Sequence, residues 1–204
     1  MNRIIGKSGA AVTGAAVLAF ATAMIVALFV KGDFASCFAS IFIALGFVPF
    51  VAAVAAIGRG YSRAAGYAGV AFAAVYAVIV LLVYFAEVTT VRMNARLSNE
   101  ALSLISYGYT GSLFFNFDLL GYAIMALSTF LTGFTVVPRD KGDNVFRWML
   151  WIHGIFFLSC LIVPLFPVFT PGTSNVPGTI LLEIWCAYFL PVCILGFRYF
   201  GHRA

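Results

Sequence analysis

Four ionisable side chains stand inside, or at the ends of, long apolar runs: Glu87, Asp118, His153 and Glu183. An ionised group at the centre of a bilayer costs at least about 2.5 to 3.5 kcal/mol on insertion scales, so such residues face a protein interior, a partner or water. Carboxylates held in that way can take a proton, pair with a cation or bind a polar ligand. Arg92 and Arg96 lie four residues apart in the segment that follows Glu87. They are natural counter-charges for Glu87, or a planar fork for an anionic headgroup or substrate carboxylate. His153 has no second His, Asp or Glu at ligand spacing on its own segment. A hydrogen bond to a neighbouring helix is therefore its expected use, and a haem or metal role needs a partner that the sequence does not supply.

The neighbours of these residues fall on shared helical faces. Asp118, Tyr122, Met125, Thr129 and Thr132 are spaced by four, three, four and three residues, which places them on one side of a helix. Glu183, Cys186 and Cys193 share a second face, and Tyr76, Tyr84 and Glu87 a third. Turned inward together, these faces would enclose an outward-facing pocket with Asp118, Glu183, Glu87, Arg92, Arg96, Tyr122 and Tyr84 as its binding residues. The plainer alternative is that the hydroxyls bond across helices and the acids reach interfacial water. No cysteine pair has metal-ligand spacing, and Cys37 has no outer-loop companion, so neither a zinc site nor a disulfide framework is expected. Small apolar packing is the expected role of all four cysteines.

The elements that must position these groups are membrane spans. With 63% hydrophobic and 9% charged residues and a mean hydropathy of +1.05 over 204 residues, the chain has too little polar surface to clothe a soluble globule. A crossing takes about 20 apolar residues. Six runs qualify, at about 10–30, 35–57, 65–88, 113–136, 146–168 and 179–200. Backbone polar groups in lipid must be satisfied within a segment, and the runs are too continuously apolar for barrel strands, so the expected fold is all-α: one six-helix domain. The first run begins like a secretory signal, with Arg3, Lys7 and the small triplet Ala21-Thr22-Ala23, but continues to Val30, which is span length. An uncleaved first helix is expected.

Nine of the twelve basic residues fall on the side of the termini: Arg3, Lys7, Arg59, Arg63, Arg139, Lys141, Arg147, Arg198 and Arg203. Lys31, Arg92 and Arg96 fall on the other. The positive-inside rule then places both termini in the cytoplasm of a prokaryotic plasma membrane. The net charge of +5 reports this topology and contact with anionic lipid, not nucleic-acid binding. Trp148 and Trp151 suit an interfacial belt.

The first three runs are rich in Ala and Gly, the last three in Phe, Leu, Ile and Tyr. Ala11, Ala15, Ala19, Ala23 and Ala27 recur every four residues, as do Ala65, Gly69, Ala73 and Ala77. Such ridges let helices approach closely. Packing within the chain is the expectation, with a subunit interface as the alternative. Pro49, Pro164, Pro167 and Pro191 should bend their helices, since each lacks the N–H that its turn requires. The segment 89–112 reads as a helical extension, a cap at Ser98 or Asn99 and a short amphipathic helix over 100–107 on the membrane surface, with Gly108 and Gly111 allowing movement. It is a candidate lid, and the uncharged loop 170–178 would form the opposite rim.

The H-E-x-x-H helix, the phosphate-binding Gly-rich loop, the nucleophile elbow, the paired haem histidines and the Arg-rich voltage-sensing helix have no counterpart in this sequence. An enzyme is thus the less favoured class, and no cofactor is expected. In size, in the Ala11–Ala27 ridge and in its outer polar cluster, the chain resembles the six-helix substrate-binding subunits of energy-coupling-factor vitamin importers. That resemblance implies both termini inside, a substrate near the outer face under loops, and small-residue ridges that dock a transporter partner. Through Gly121-Tyr122, Met125 and Thr129, and through Trp185 and Pro191, it is also similar to uncharacterised small six-span bacterial membrane proteins, which implies no activity. Three functions follow as expectations: binding or transport of a small molecule or lipid; a structural or regulatory subunit bound to another membrane protein or to a second copy; and an intramembrane enzyme or proton-coupled carrier using Asp118 or Glu183.

Overall fold

The computed structural model describes residues 1–30, 32–58, 62–93, 96–166 and 176–201. Lys31, Arg59, Pro167, Arg203 and most of the expected rim at 170–178 lie outside the described residues. The described chain is all-helical: α1 (Asn2–Ala27), α2 (Phe34–Ile57), α3 (Arg63–Ala86) running into a π-helical turn (Glu87–Val91), α4 (Asn99–Ile105), α5 (Leu113–Gly133), α6 (Lys141–His153), α7 (Ile155–Ile162) with a 3-10 turn (Val163–Leu165), and α8 (Val176–Gly201). Six of these units are long and apolar enough to cross a membrane, with α6, α7 and the 3-10 turn forming one of them.

Local chemistry sets several boundaries. Ser62, Ser98 and Ser112 accept the N–H groups of Ala65, Ala101 and Phe115, which starts α3, α4 and α5 with capped first turns. Asp140 does the same for α6 by accepting from Asp143 N–H at 2.8 Å. That backbone donor, then the Arg198 guanidinium, hold the Asp140 carboxyl below its ordinary value. α2 and α8 continue as single helices through Pro49 and Pro191. The fifth span breaks at Gly154 rather than bending at Pro164. Gly154 N–H donates to Trp151 and Phe157 N–H to Gly154, each one residue short of α-helical pairing. Pro164 instead sits in the 3-10 turn that closes the span.

The spans pack in chain order: α1 on α2, α2 on α3, α3 on α5, α5 on α6 and α7, α6 on α8, and α8 back on α1. The closure brings the ends together, with Arg3 donating to the Gly201 carbonyl at 2.7 Å. Both termini therefore share one face of the bundle. The 134–142 segment joins them there, through the Arg198–Asp140 pair and the approach of Gly58 to Thr135.

Small residues set the closest crossings, though not all those expected. A Cβ on Gly9 would stand 2.6 Å from the Phe50 nitrogen, and one on Gly46 2.8 Å from the Thr13 nitrogen. The buried stripe of α1 thus includes Gly6, Gly9, Ala10, Thr13, Gly14 and Val17. Ala11, Ala15 and Ala19 are exposed and Ala23 partly so, which corrects the expectation that this ridge packs within the chain. The ridge on α3 does pack within it. Gly69 and Ala73 are buried, Gly69 lies against Thr132, and Ser128 Oγ donates to the Gly69 carbonyl at 2.7 Å.

Candidate functional site

The site is built from one acid at the end of the bundle away from the termini. Asp118 lies in the second turn of α5 and is 4% exposed. Its Oδ1 has no hydrogen-bond partner among the described residues. The Tyr84 hydroxyl, from α3, stands beside the carboxyl without closing a bond of good geometry. Tyr76, behind Tyr122, and Tyr122 itself have hydroxyls that are likewise unpartnered. A buried polar group without a partner costs about 1–3 kcal/mol. Four such groups in one region mark a place suited to water or a polar ligand.

Two cavities meet at Asp118. The upper, of about 190 Å³, lies between the outer ends of α1, α2, α5 and α8 and is roofed by Tyr107, Gly108 and Thr110. Met24, Asp33 and Ser36 line its far wall. The lower, of about 80 Å³, runs between α5, α7 and α8 past Tyr122, Phe156, Cys160 and Trp185. Asp118, Leu119, Leu181 and Leu182 line both. The pocket thus exists on the expected face of the bundle but between other helices. α1 and α2 replace α3 as its walls, and Tyr84 backs Asp118 from behind.

Four expected members stand elsewhere. Glu183 lines neither cavity. Its Oε1 is buried without a hydrogen-bond partner among the described residues. Glu87 forms no ion pair with Arg92 or Arg96 among the described residues. Its two oxygens accept Ser106 Oγ at 2.9 Å and Tyr107 N–H at 3.1 Å. Arg92 lies over the Phe34 ring at 4.3 Å and is exposed, as is Arg96. The reason is geometric: the π turn at 87–91 presents Glu87 to the returning chain after α4. Glu87 therefore fastens the roof, and the arginines do not guard the pocket.

The roof is made for this fastening. Ser112 Oγ donates to the Ser106 carbonyl at 2.7 Å, closing the loop on itself. Gly111 takes φ +83°, a backbone setting that favours glycine. Burial, reinforced by Asp118, Cys37 and Asp33, pushes the Tyr107 phenol well above its ordinary value. Tyr107 therefore stays a neutral donor at the cavity, its ring against Tyr84 at 5.5 Å.

Trp185 is the main residue that the sequence reading omitted from the site. Its indole N–H donates to His153 Nε2 at 3.0 Å, while His153 Nδ1 meets Thr129 Oγ1 at 2.7 Å. An indole can only donate, so Nε2 accepts and the ring proton is on Nδ1. Thr129 accepts it and donates to the Ala126 carbonyl at 2.9 Å. This neutral, fully used imidazole ties α5, α6 and α8 together below the lower cavity. No group of three metal-ligating side chains occurs among the described residues. The four cysteines are free.

Comparison with protein-family models, with curated proteins and with solved structures finds no match. What fold and site define together is a class: a helical bundle with six membrane-spanning-capable units and a cavity at one end, centred on a buried acid.

Proposed function

We propose that this protein is a multi-pass protein of a prokaryotic plasma membrane that binds a small molecule or lipid in the cavity at Asp118, with both termini in the cytoplasm and the cavity facing outward. One observation carries the reading: a carboxyl that is 4% exposed, with an unpartnered oxygen, lines both chambers of a cavity. Buried charge is costly unless paired, and a ligand donor is the partner this arrangement lacks. The orientation is supported by charge. Arg3, Lys7, Arg63, Arg139, Lys141, Arg147 and Arg198 lie toward the face of the termini, and only Arg92 and Arg96 among the described residues lie at the other.

Native mass spectrometry of protein extracted in mild detergent tests the binding. A discrete mass present in the wild type, lost in Asp118→Asn and kept in Glu183→Gln is the expected result. Identical bulk-lipid spectra for all three would refute it.

A second reading rests on the outward ridge Ala11, Ala15 and Ala19. A small-residue face turned away from its own bundle fits a subunit that docks another membrane protein, as the importer resemblance implies. Loss of assembly on Ala15→Leu, with ligand retained, would support this reading.

A further inference from the structure

We infer that the ligand of this cavity is a lipophilic amine, its ammonium group at Asp118 and its apolar body in the chamber between α5, α7 and α8. The inference rests on the binding function proposed above and names its ligand class. The described lining residues include two carboxyl groups, Asp118 at the junction of the chambers and Asp33 at the upper wall. No Lys, Arg or His is among them. Among the described residues, the cations of that face lie off the lining: Arg92 over the Phe34 ring, Arg96 exposed. His153, behind Trp185, has both nitrogens used. An anion would meet like charge in a place of low dielectric, whereas an ammonium supplies the missing donor to Oδ1 and the missing counter-charge together.

Shape and surface extend the argument. The upper chamber carries Ser36, Thr110 and Thr179 beside Asp33, which suits a hydrated, polar head. The lower one is walled by Tyr122, Phe156, Val163 and Trp185, which suits hydrocarbon or an aromatic ring. Aromatic faces also attract ammonium groups by their quadrupole. α7 packs on α5 and touches α8 near its inner end, where the Phe156 and Tyr188 rings stand 6.0 Å apart. The lower chamber lies beyond that contact, and Leu181 on its rim is exposed. An amphiphile thus has a route from the surrounding lipid, with its head reaching Asp118.

Three probes of one size and different charge decide the matter: phenethylamine, 2-phenylethanol and 3-phenylpropionate. Each is titrated calorimetrically into the full-length protein in phosphatidylcholine nanodiscs, with empty nanodiscs subtracted. Phenethylamine should bind at least about tenfold more tightly than either analogue. Asp118→Asn should remove most of that preference, and Asp33→Asn, at an exposed position that does not endanger folding, should reduce it. Equal binding of alcohol and amine, preference for the carboxylate, or amine binding unchanged in both variants would overturn the amine assignment while leaving a binding pocket in place. Absence of binding by all three overturns it too. The native mass spectra then decide the pocket itself, since a mass lost in Asp118→Asn keeps the cavity and identifies a ligand of another charge.

Discussion

At the scale of single residues, polar groups in this protein fall into two kinds, and the difference lies in how completely each is used. His153 has both nitrogens bonded and Asp118 has an oxygen left over. The first is a fastener. Cross-helix hydrogen bonds in membranes average about 0.6 kcal/mol and reach about 1.7, and an orphaned buried acceptor costs about 1–3. Trp185→Phe should therefore lower unfolding stability in detergent by about 1–2 kcal/mol. In a cycle with His153→Ala, the double variant should fall short of the sum by about 0.5–1 kcal/mol. Additivity within experimental error would show that the bond carries nothing. Both residues were visible in the sequence, as an acid and a histidine in apolar runs. Their roles were not, because the deciding partners are distant in the chain: Trp185 is 32 positions from His153, and Tyr84 comes from another helix. The same blindness paired Glu87 with nearby arginines, when its partners are Ser106 and Tyr107 across the α4 loop.

At the scale of elements, the decisive quantity is which side of a helix faces inward, and here glycine outranks alanine. The four-residue period of Ala11 to Ala23 was legible, and so was its capacity for close packing. Its phase was not, since a period of four drifts about 40° per step against a 3.6-residue turn, and only the facing helix fixes the contact line. Gly9, Thr13 and Gly46 take that line because a Cβ at either glycine would enter the neighbouring backbone. Gly46→Val should thus cost about 1–3 kcal/mol or more and reduce the folded yield, whereas Ala15→Leu, on an exposed face, should leave the melting temperature of the isolated bundle within a degree or two of wild type. Thermal unfolding of the purified variants, followed by circular dichroism, checks both. If Ala15→Leu unfolds the bundle and Gly46→Val does not, the α1–α2 crossing is misassigned. Span number and helix class were legible because length and hydropathy alone decide them. The break at Gly154 was hidden because it lies in two hydrogen bonds paired one residue short, beside the Phe130 ring, and not in proline chemistry.

At the scale of the whole molecule, two aromatic layers separate the cavity from the face of the termini. Phe47, Tyr76, Tyr122, Trp185 and Phe189 form a closed circuit of ring contacts, each 5.1 to 6.1 Å between centroids, drawn from α2, α3, α5 and α8. Nearer the termini, Phe50, Phe146, Tyr199 and Phe200 close a second circuit at 5.5 to 6.2 Å. Aromatic side chains of this size fill a bundle centre at crystal-like density, so among the described residues two packed layers stand between Asp118 and the face of the termini. Such packing fits the binding function proposed above better than it fits an open pore. Proteoliposomes holding the wild-type protein should consequently pass potassium and protons no faster than empty vesicles. Phe189→Ala removes one member of the inner layer at a cost of about 3–5 kcal/mol, yet its vesicles should stay tight because the second layer is intact. Joining Phe50→Ala to it should open a leak, provided circular dichroism shows that the double variant still folds. A wild-type leak above the empty-vesicle rate would remove the two layers as barriers.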